Sequence, residues 1–298
     1  MTLTPVLRWS YYNRKPTTDN NDKFGLASRS DSKVTPGITL TLSPSKQLSF
    51  YASVQTGYRP PFLDELYTSI EYPEFGMYSV VLPNPDLKPE ESINVEIGVN
   101  GDYKSLFSDS DRFVFHANVF RDRVKNLINA GATGDMDFTD DGDMILYYSI
   151  DNVGKALKTG FEASADYYPG NADFHLSYGY LHAEDKNTGE KIPGLTPMQA
   201  TLRAGYTYKP WNVNGWYRMR LFKGGKSNLE TARNSGEYKQ LGGFATHTLG
   251  LTWKPQIKDW ADFTLTFSVD NITNKKFRYL NGGYGVGRSY RAWLSATF

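Results

Sequence analysis

Apolar and polar residues alternate along most of this chain with a period of two. From Gln47 to Gly57, Leu48, Phe50, Ala52 and Val54 take one parity; Gln47, Ser49, Tyr51, Ser53 and Gln55 take the other. From Ser92 to Asn100, Ile93, Val95, Ile97 and Val99 oppose Ser92, Asn94, Glu96 and Asn100. Successive side chains of a strand point to opposite faces, so this period predicts strands. The same pattern predicts strands over Leu3–Tyr11, Val34–Ser43, Arg112 to about Asn129, and Ile145–Tyr167 with a bend at Gly154. It predicts others over Ala172–His182, Pro197–Tyr208, Val213–Phe222, Gly243–Trp253, Phe263–Ile272 and Arg288–Phe298. The total is about twelve, and no segment has a convincing helical period.

The connections alternate in length. Tight turns fall at Pro44, Pro169 and Pro210; Gly101–Asp111 and Pro255–Ala261 are intermediate and fit the short side. Long polar loops follow Tyr11 (Asn13–Lys33), Gly57, Asn129 (the acidic Gly131–Asp143), His182, Phe222 and Ile272. Short turns at one end and long loops at the other are the layout of an antiparallel transmembrane β-barrel. Glu96, Arg112, Glu162, Arg203, Arg218 and Arg220 fall on the polar parity. So many charges on one face of long strands require a wide solvated interior, which a packed sandwich lacks. The expected fold is therefore all-β, a transmembrane barrel with its apolar residues outside.

Composition narrows the class further. The 298 residues are 15% aromatic, with 21 Tyr and 27 Gly, and the mean hydropathy is −0.52. No apolar run reaches the roughly 18 residues of a membrane helix. The patterning is too regular for a disordered chain. A net charge of +1 gives no basis for bulk nucleic-acid binding. Cysteine is absent, so disulfides and thiolate sites are excluded. Met1 is followed by no basic and apolar leader pattern. At the other end Tyr290, Ala292, Leu294, Ala296 and Phe298 share a parity, and Trp293 interrupts the polar row. An aromatic final residue in this setting resembles the signal read by the barrel-assembly machinery of outer membranes.

Several ordered landmarks now carry a family resemblance. Gly57-Tyr58-Arg59-Pro60-Pro61 with Glu65-Leu66, followed by Asn84-Pro85-Asp86-Leu87-Lys88-Pro89-Glu90, resembles the paired motifs of TonB-dependent outer-membrane receptors. Val153-Gly154-Lys155 leading to Gly160-Phe161-Glu162 is a second landmark, and Asp270-Asn271-Ile272-Thr273-Asn274-Lys275-Lys276-Phe277 a third. The resemblance implies that residues 1–298 are the C-terminal portion of a plugged barrel of about 22 strands. The plug domain and the box that engages the energy-coupling TonB complex would then lie outside this chain.

Within that family the first two motifs resemble the "FRAP" and "NPNL" boxes of haem and haemoglobin receptors, which flank a loop with a haem-contacting histidine. Here Pro60 stands in the alanine position, and Phe62–Pro83 contains no histidine. Asn281–Arg288 is also similar to hemophore and haem receptors. The resemblance implies uptake of haem, free or protein-carried, as a transported ligand with no covalently bound cofactor. It nominates Tyr58, Arg59, Tyr67, Tyr72, Met77, Tyr78 and Asn84 for ligand binding. Tyr72 and Tyr78 are the candidates for the iron itself, phenolate being a haem ligand type. The implied partners are outer-membrane lipid, haem or a haem carrier, and the TonB complex, with no nucleic acid. The implied location is the Gram-negative outer membrane.

Other readings stand beside these. Prolines around the Tyr58 motif also serve simply to end a strand. His116 and His175 have the polar parity of a lumen wall, while His182 and His247 read as rim positions. Asp135, Asp137, Asp140, Asp141 and Asp143 supply oxygen ligands without the spacing of a calcium loop. Gly282, Gly283, Gly285 and Gly287 lack the strand-to-helix context of a phosphate cradle. His182 with Glu184 and Asp185 is the one grouping suited to a rim hydrolase, and no local nucleophile motif accompanies it, so no enzyme is expected. A ferric-siderophore receptor and a passive porin remain open alternatives.

Overall fold

The computed structural model describes residues 1–15, 28–67, 70–74, 77–152, 154–230, 237–255 and 262–297. Its strands are β1 (Thr2–Arg14), β2 (Arg29–Leu42), β3 (Leu48–Arg59), β4 (Ile70–Glu74), β5 (Met77–Leu82), β6 (Glu90–Lys104), β7 (Asp111–Lys125), β8 (Ile128–Phe138) and β9 (Met144–Asn152). They continue as β10 (Lys155–Pro169), β11 (Ala172–Asp185), β12 (Met198–Tyr208), β13 (Val213–Phe222), β14 (Gly225–Glu230), β15 (Tyr238–Leu241), β16 (Phe244–Trp253), β17 (Asp262–Asp270) and β18 (Ser289–Thr297). A one-turn helix α1 (Leu63–Tyr67) and a 3-10 turn at Lys209–Trp211 complete the set.

Twelve strands form one antiparallel meander in the order β1-β2-β3-β6-β7-β10-β11-β12-β13-β16-β17-β18. β1 and β18 each have a single partner among the described residues, so the sheet is open at both edges. The register lines the predicted parities up across the whole sheet. Phe50 lies opposite Val99, Ile97 opposite Val119, and Val119 opposite Phe161. Leu176 continues the band opposite Leu202, and Leu251 opposite Phe267. These residues form an outward surface and no core: Ile93, Val95, Leu202 and Leu294 are 47%, 42%, 41% and 64% exposed.

Over the height of the apolar band, the opposite face holds the charges, many of them paired. Asp270 accepts from Arg218 at 3.2 Å, from Arg291 at 2.6 Å and from Thr248 at 3.0 Å. Arg203 pairs with Asp173, and His175 with Asp166 at 2.8 Å. Tyr51 donates to Glu96, which also accepts from Asn118 at 2.9 Å. Tyr51 crosses directly over Gly98, where a Cβ would sit 2.4 Å from its ring, so any side chain there would displace the Tyr51 ring.

Hydrophobic burial is confined to the long-loop end. Among the described residues the buried hydrophobics are Leu66, Leu87, Val124, Ile128, Ala156, Ala183 and Leu280, all at or above the upper ends of the strands. At the short-turn end polar caps do the work. Asp111 accepts from the backbone amides of Leu106, Phe107 and Ser108 at 2.8, 2.9 and 3.0 Å.

The structure corrects the expected boundaries at the long-loop end. β1 and β2 pair up to Arg14 and Arg29, so both ends of the expected Asn13–Lys33 loop are strand. The expected single strand Ile145–Tyr167 is two strands in different sheets. They part at Gly154, whose φ of +126° an L side chain rarely adopts. The expected Arg112–Asn129 strand ends at Lys125, and most of the acidic Gly131–Asp143 loop belongs to β8. The loop after Phe222 contains the hairpin β14–β15. Val153 and Phe298 lie outside the described residues.

The outward band predicts an asymmetric mutational response. Ile97→Arg is expected to destabilise the inserted sheet by about 2–4 kcal/mol, and Gln55→Arg on the inner face by well under half of that. Denaturant unfolding from lipid vesicles measures both.

Candidate ligand-capture site at the long-loop mouth

The mouth is built where β3 stops. Pro60 and Pro61 follow Arg59, are both buried, and cannot donate to a ladder. Arg59 and Glu90 are the last facing pair of β3 and β6, so the two motifs are the ends of one excursion that closes on a single rung. The Arg59 guanidinium donates through Nε and Nη2 to both Glu90 oxygens, at 2.9 and 2.7 Å. Its Nη1 reaches both Glu65 oxygens at 2.9 Å. Such a fork holds two carboxylates in fixed orientation. Glu65 also accepts the Phe62 amide at 2.7 Å, capping α1. Glu90 accepts the Ile128 amide at 2.9 Å, which ties in the next long loop.

A small core sits on this brace. Leu66, Leu87 and Ile128 are buried together, with Tyr67 and Ile150 packed against them. Asn84 begins an Asx turn by accepting the Asp86 amide at 3.2 Å. Its own amide donates to the Ile150 carbonyl at 2.9 Å and to Asp151 at 2.6 Å. Asn152 completes the seam: it accepts from the Lys88 amide at 2.7 Å and donates to the carbonyls of Lys88 and Asn126 at 2.8 and 2.9 Å. The two loops also share a sheet of order β4-β5-β9-β8, in which β5 and β9 run parallel.

The nominated residues divide between these parts. Arg59 and Asn84 are engaged with protein partners in the brace and the seam. Tyr67 packs on the buried core. Tyr58 stands at the end of β3, its ring 6.4 Å from that of Tyr12. Tyr72, Met77 and Tyr78 are in the β4–β5 hairpin, where Tyr72 pairs with Ser79 and Tyr78 with Pro73. The side chains of Tyr72 and Met77, and all of Phe75, lie outside the described residues. Glu65, Glu90, Asn126 and Asn152 hold this region together and were not nominated. The charge balance of Arg59 against two nearby glutamates was a readable signal for the first two.

The other mouth features are arranged differently. His182 is 3.3 Å from Glu184, which also accepts from Lys186 at 2.5 Å. A cavity of about 440 Å³ between this segment and β14–β15 is lined by His182, Glu190, Lys191, Lys223, Lys226 and Gln240. Lys226 donates to Glu190 at 2.9 Å and thereby holds its carboxyl below the usual range. That tie is fully present above the ordinary carboxylate pKa and is lost as pH falls through the depressed value. Asn271, at a φ of +48°, closes the last long loop by donating to the carbonyls of Lys275 and Val286 at 2.9 and 3.1 Å.

The family model "TonB dependent receptor-like, beta-barrel" matches residues 1–272. This chain belongs to the TonB-dependent receptor β-barrel family. It is an outer-membrane β-barrel segment of Gram-negative type, with the outward band in lipid and the long loops on the external side. It is 24% identical over 93% of its length to heme/hemopexin utilization protein C of Haemophilus influenzae strain 86-028NP, covering 38% of that protein. It is 26% identical over 80% of its length to hemoglobin and hemoglobin-haptoglobin-binding protein A of Haemophilus influenzae, covering 22% of it. A variant of the ferric enterobactin receptor from Pseudomonas aeruginosa superposes with a TM-score of 0.70 at 20% identity, over 99% of this chain and 42% of that one. The chain thus spans well under half the length of the curated relatives it matches.

Arg59→Ala tests the brace. It leaves Glu65 and Glu90 facing each other without the guanidinium that joins them. Because Arg59 is 32% exposed, the expected local cost is limited to about 1–3 kcal/mol. Hydrogen exchange at the Leu66 and Ile128 amides should quicken accordingly, while the Val54 and Val95 rungs below keep their protection.

Proposed function

We propose that this segment forms the membrane barrel and external mouth of a TonB-dependent haem receptor. The observation that carries the reading is the match along nearly the whole chain to a heme/hemopexin utilization protein, joined to the paired motifs that frame the mouth. Arg59 and Asn84 act as positioning residues, holding the two loops above the lumen. Tyr58, Tyr67 and the β4–β5 hairpin with Tyr72, Met77 and Tyr78 provide the aromatic and thioether surface that meets haem. A flat porphyrin is well matched by such side chains, and ferric iron accepts a phenolate oxygen. With no histidine between Phe62 and Pro83, tyrosine is the strongest iron ligand that this loop can offer.

Haem, free or carried by a protein, is the cargo; the chain carries out transport and no catalysis. Inward movement draws on a TonB complex, engaged through parts of the receptor outside these residues. Ferric siderophore is the competing cargo, and the test separates the two.

The complete receptor is expressed with Tyr72→Phe and Tyr78→Phe, singly and together. The double variant is expected to bind haem about tenfold or more weakly and to change the haem absorption spectrum, while surface expression stays normal. Unchanged spectrum and growth on haem in the double variant end the tyrosine assignment. Haem uptake that survives deletion of residues 62–81 would overturn this mouth as the haem site. Growth on a ferric siderophore but never on haem would overturn the cargo.

A further inference from the structure

The outward face of β7 changes character along its length. Phe113, Phe115, Ala117 and Val119 lie on the lipid parity, and then the same parity presents Arg121, Arg123 and Lys125. All three cations are exposed. Val124, between them, points the other way and is 5% exposed, which fixes the direction of the row. At about 3.3 Å per residue the row runs about 13 Å along the strand from Arg121 to Lys125. Its neighbours on the same face are Ile93 and Val95 of β6, and Leu157 and Thr159 of β10. Lys155, also exposed, lies opposite Lys125 and adds a fourth positive charge.

The acids of this face are occupied elsewhere. Glu91, opposite Lys125, pairs with Lys33 at 2.5 Å. Glu184, opposite Leu157, is shared by Lys186 and His182. Among the described residues, Arg121, Arg123, Lys125 and Lys155 make no ion pair. Four cations therefore stand together directly above the apolar band of Ile97, Val119 and Phe161. Charges so placed cannot sit in hydrocarbon, so their level is that of the external headgroups. Long basic side chains reach such a layer easily.

We propose that this patch is a lipid site: the Arg121, Arg123, Lys125 and Lys155 side chains hold the phosphate groups of an anionic lipid of the outer leaflet, its acyl chains lying along Ile97, Val119 and Phe161. Continuity with the membrane-facing band argues for a lipid over a free anion. Arginine's fork matches two phosphate oxygens at once, and the two arginines lie one period apart on one face. The site is on the outside of the barrel, separate from the mouth, and does not depend on what the mouth takes up.

The test uses the complete receptor, delipidated in detergent and read by native mass spectrometry. Bisphosphorylated lipid A, its dephosphorylated form and inorganic phosphate are the three probes. The wild type is expected to retain the bisphosphorylated lipid about tenfold or more better than R121Q/R123Q/K125Q/K155Q does. It should retain the dephosphorylated lipid no better than that variant, and inorganic phosphate at equal concentration should fail to compete. R121K/R123K, which keeps charge but loses the fork, should fall between. If the quadruple variant does not insert, R123Q alone should show a smaller loss in the same direction. Equal retention of the two lipids, equal retention by wild type and R123Q, or displacement by inorganic phosphate overturns the proposal.

Discussion

A strand that crosses a bilayer has no water with which to satisfy its backbone, so each amide and carbonyl must pair with a neighbouring strand. The rest of this molecule depends on that constraint. It commits twelve segments to one continuous antiparallel register. Period-two alternation then sends one residue to lipid and the next to the lumen, with no layer left over for a conventional core. Luminal charges consequently find partners within the sheet itself, as Asp270 does with Arg218 and Arg291. Hydrophobic burial is displaced to the mouth, where the long loops leave the lipid and must pack on one another.

At the mouth the problem reverses. The excursion between β3 and β6 has no lipid to confine it, so side chains supply the order. Arg59 holds the two ends of the excursion together at one rung and fastens α1 through Glu65. Asn84 and Asn152 then join that excursion to the one between β7 and β10. The prolines, the arginine and the asparagines of the family motifs serve mainly to hold the platform. The hairpin they support is the part proposed to meet cargo, which separates it from the conspicuous motif residues.

The barrel was legible because lipid on one side imposes a strict alternation on every crossing segment. Where that pressure ends, the pattern also fades. Ser30, Asp31 and Ser32 of β2 lie at the loop end of the strand and carry no apolar parity, so the strand reads as loop. β8 is rich in Gly and Asp and is held by pairing with β9, which no local residue announces. β9 and β10 both alternate and therefore run together in the sequence; only the backbone at Gly154 separates them. At the mouth the Arg59–Glu90 motif was visible as a motif. The Asn152 seam was not, because the groups it meets across the seam are the backbone amide and carbonyl of Lys88, in a different loop.

The parallel pairing of β5 with β9 has a kinetic consequence. Its two strands come from different excursions, with β6, β7 and β8 between them in sequence. Contacts between distant segments must bear a loop-closure entropy that adjacent hairpins avoid, and they form late for that reason. The meander grows from neighbouring hairpins, but the mouth sheet has to wait until β3, β6, β7 and β10 have brought the two loops side by side. Assembly of this protein should therefore run in two stages, a sheet that assembles in the membrane and a mouth that matures afterwards on the outside. A newly inserted molecule would briefly present Tyr72 and Tyr78 on an unbraced loop before the platform closes beneath them.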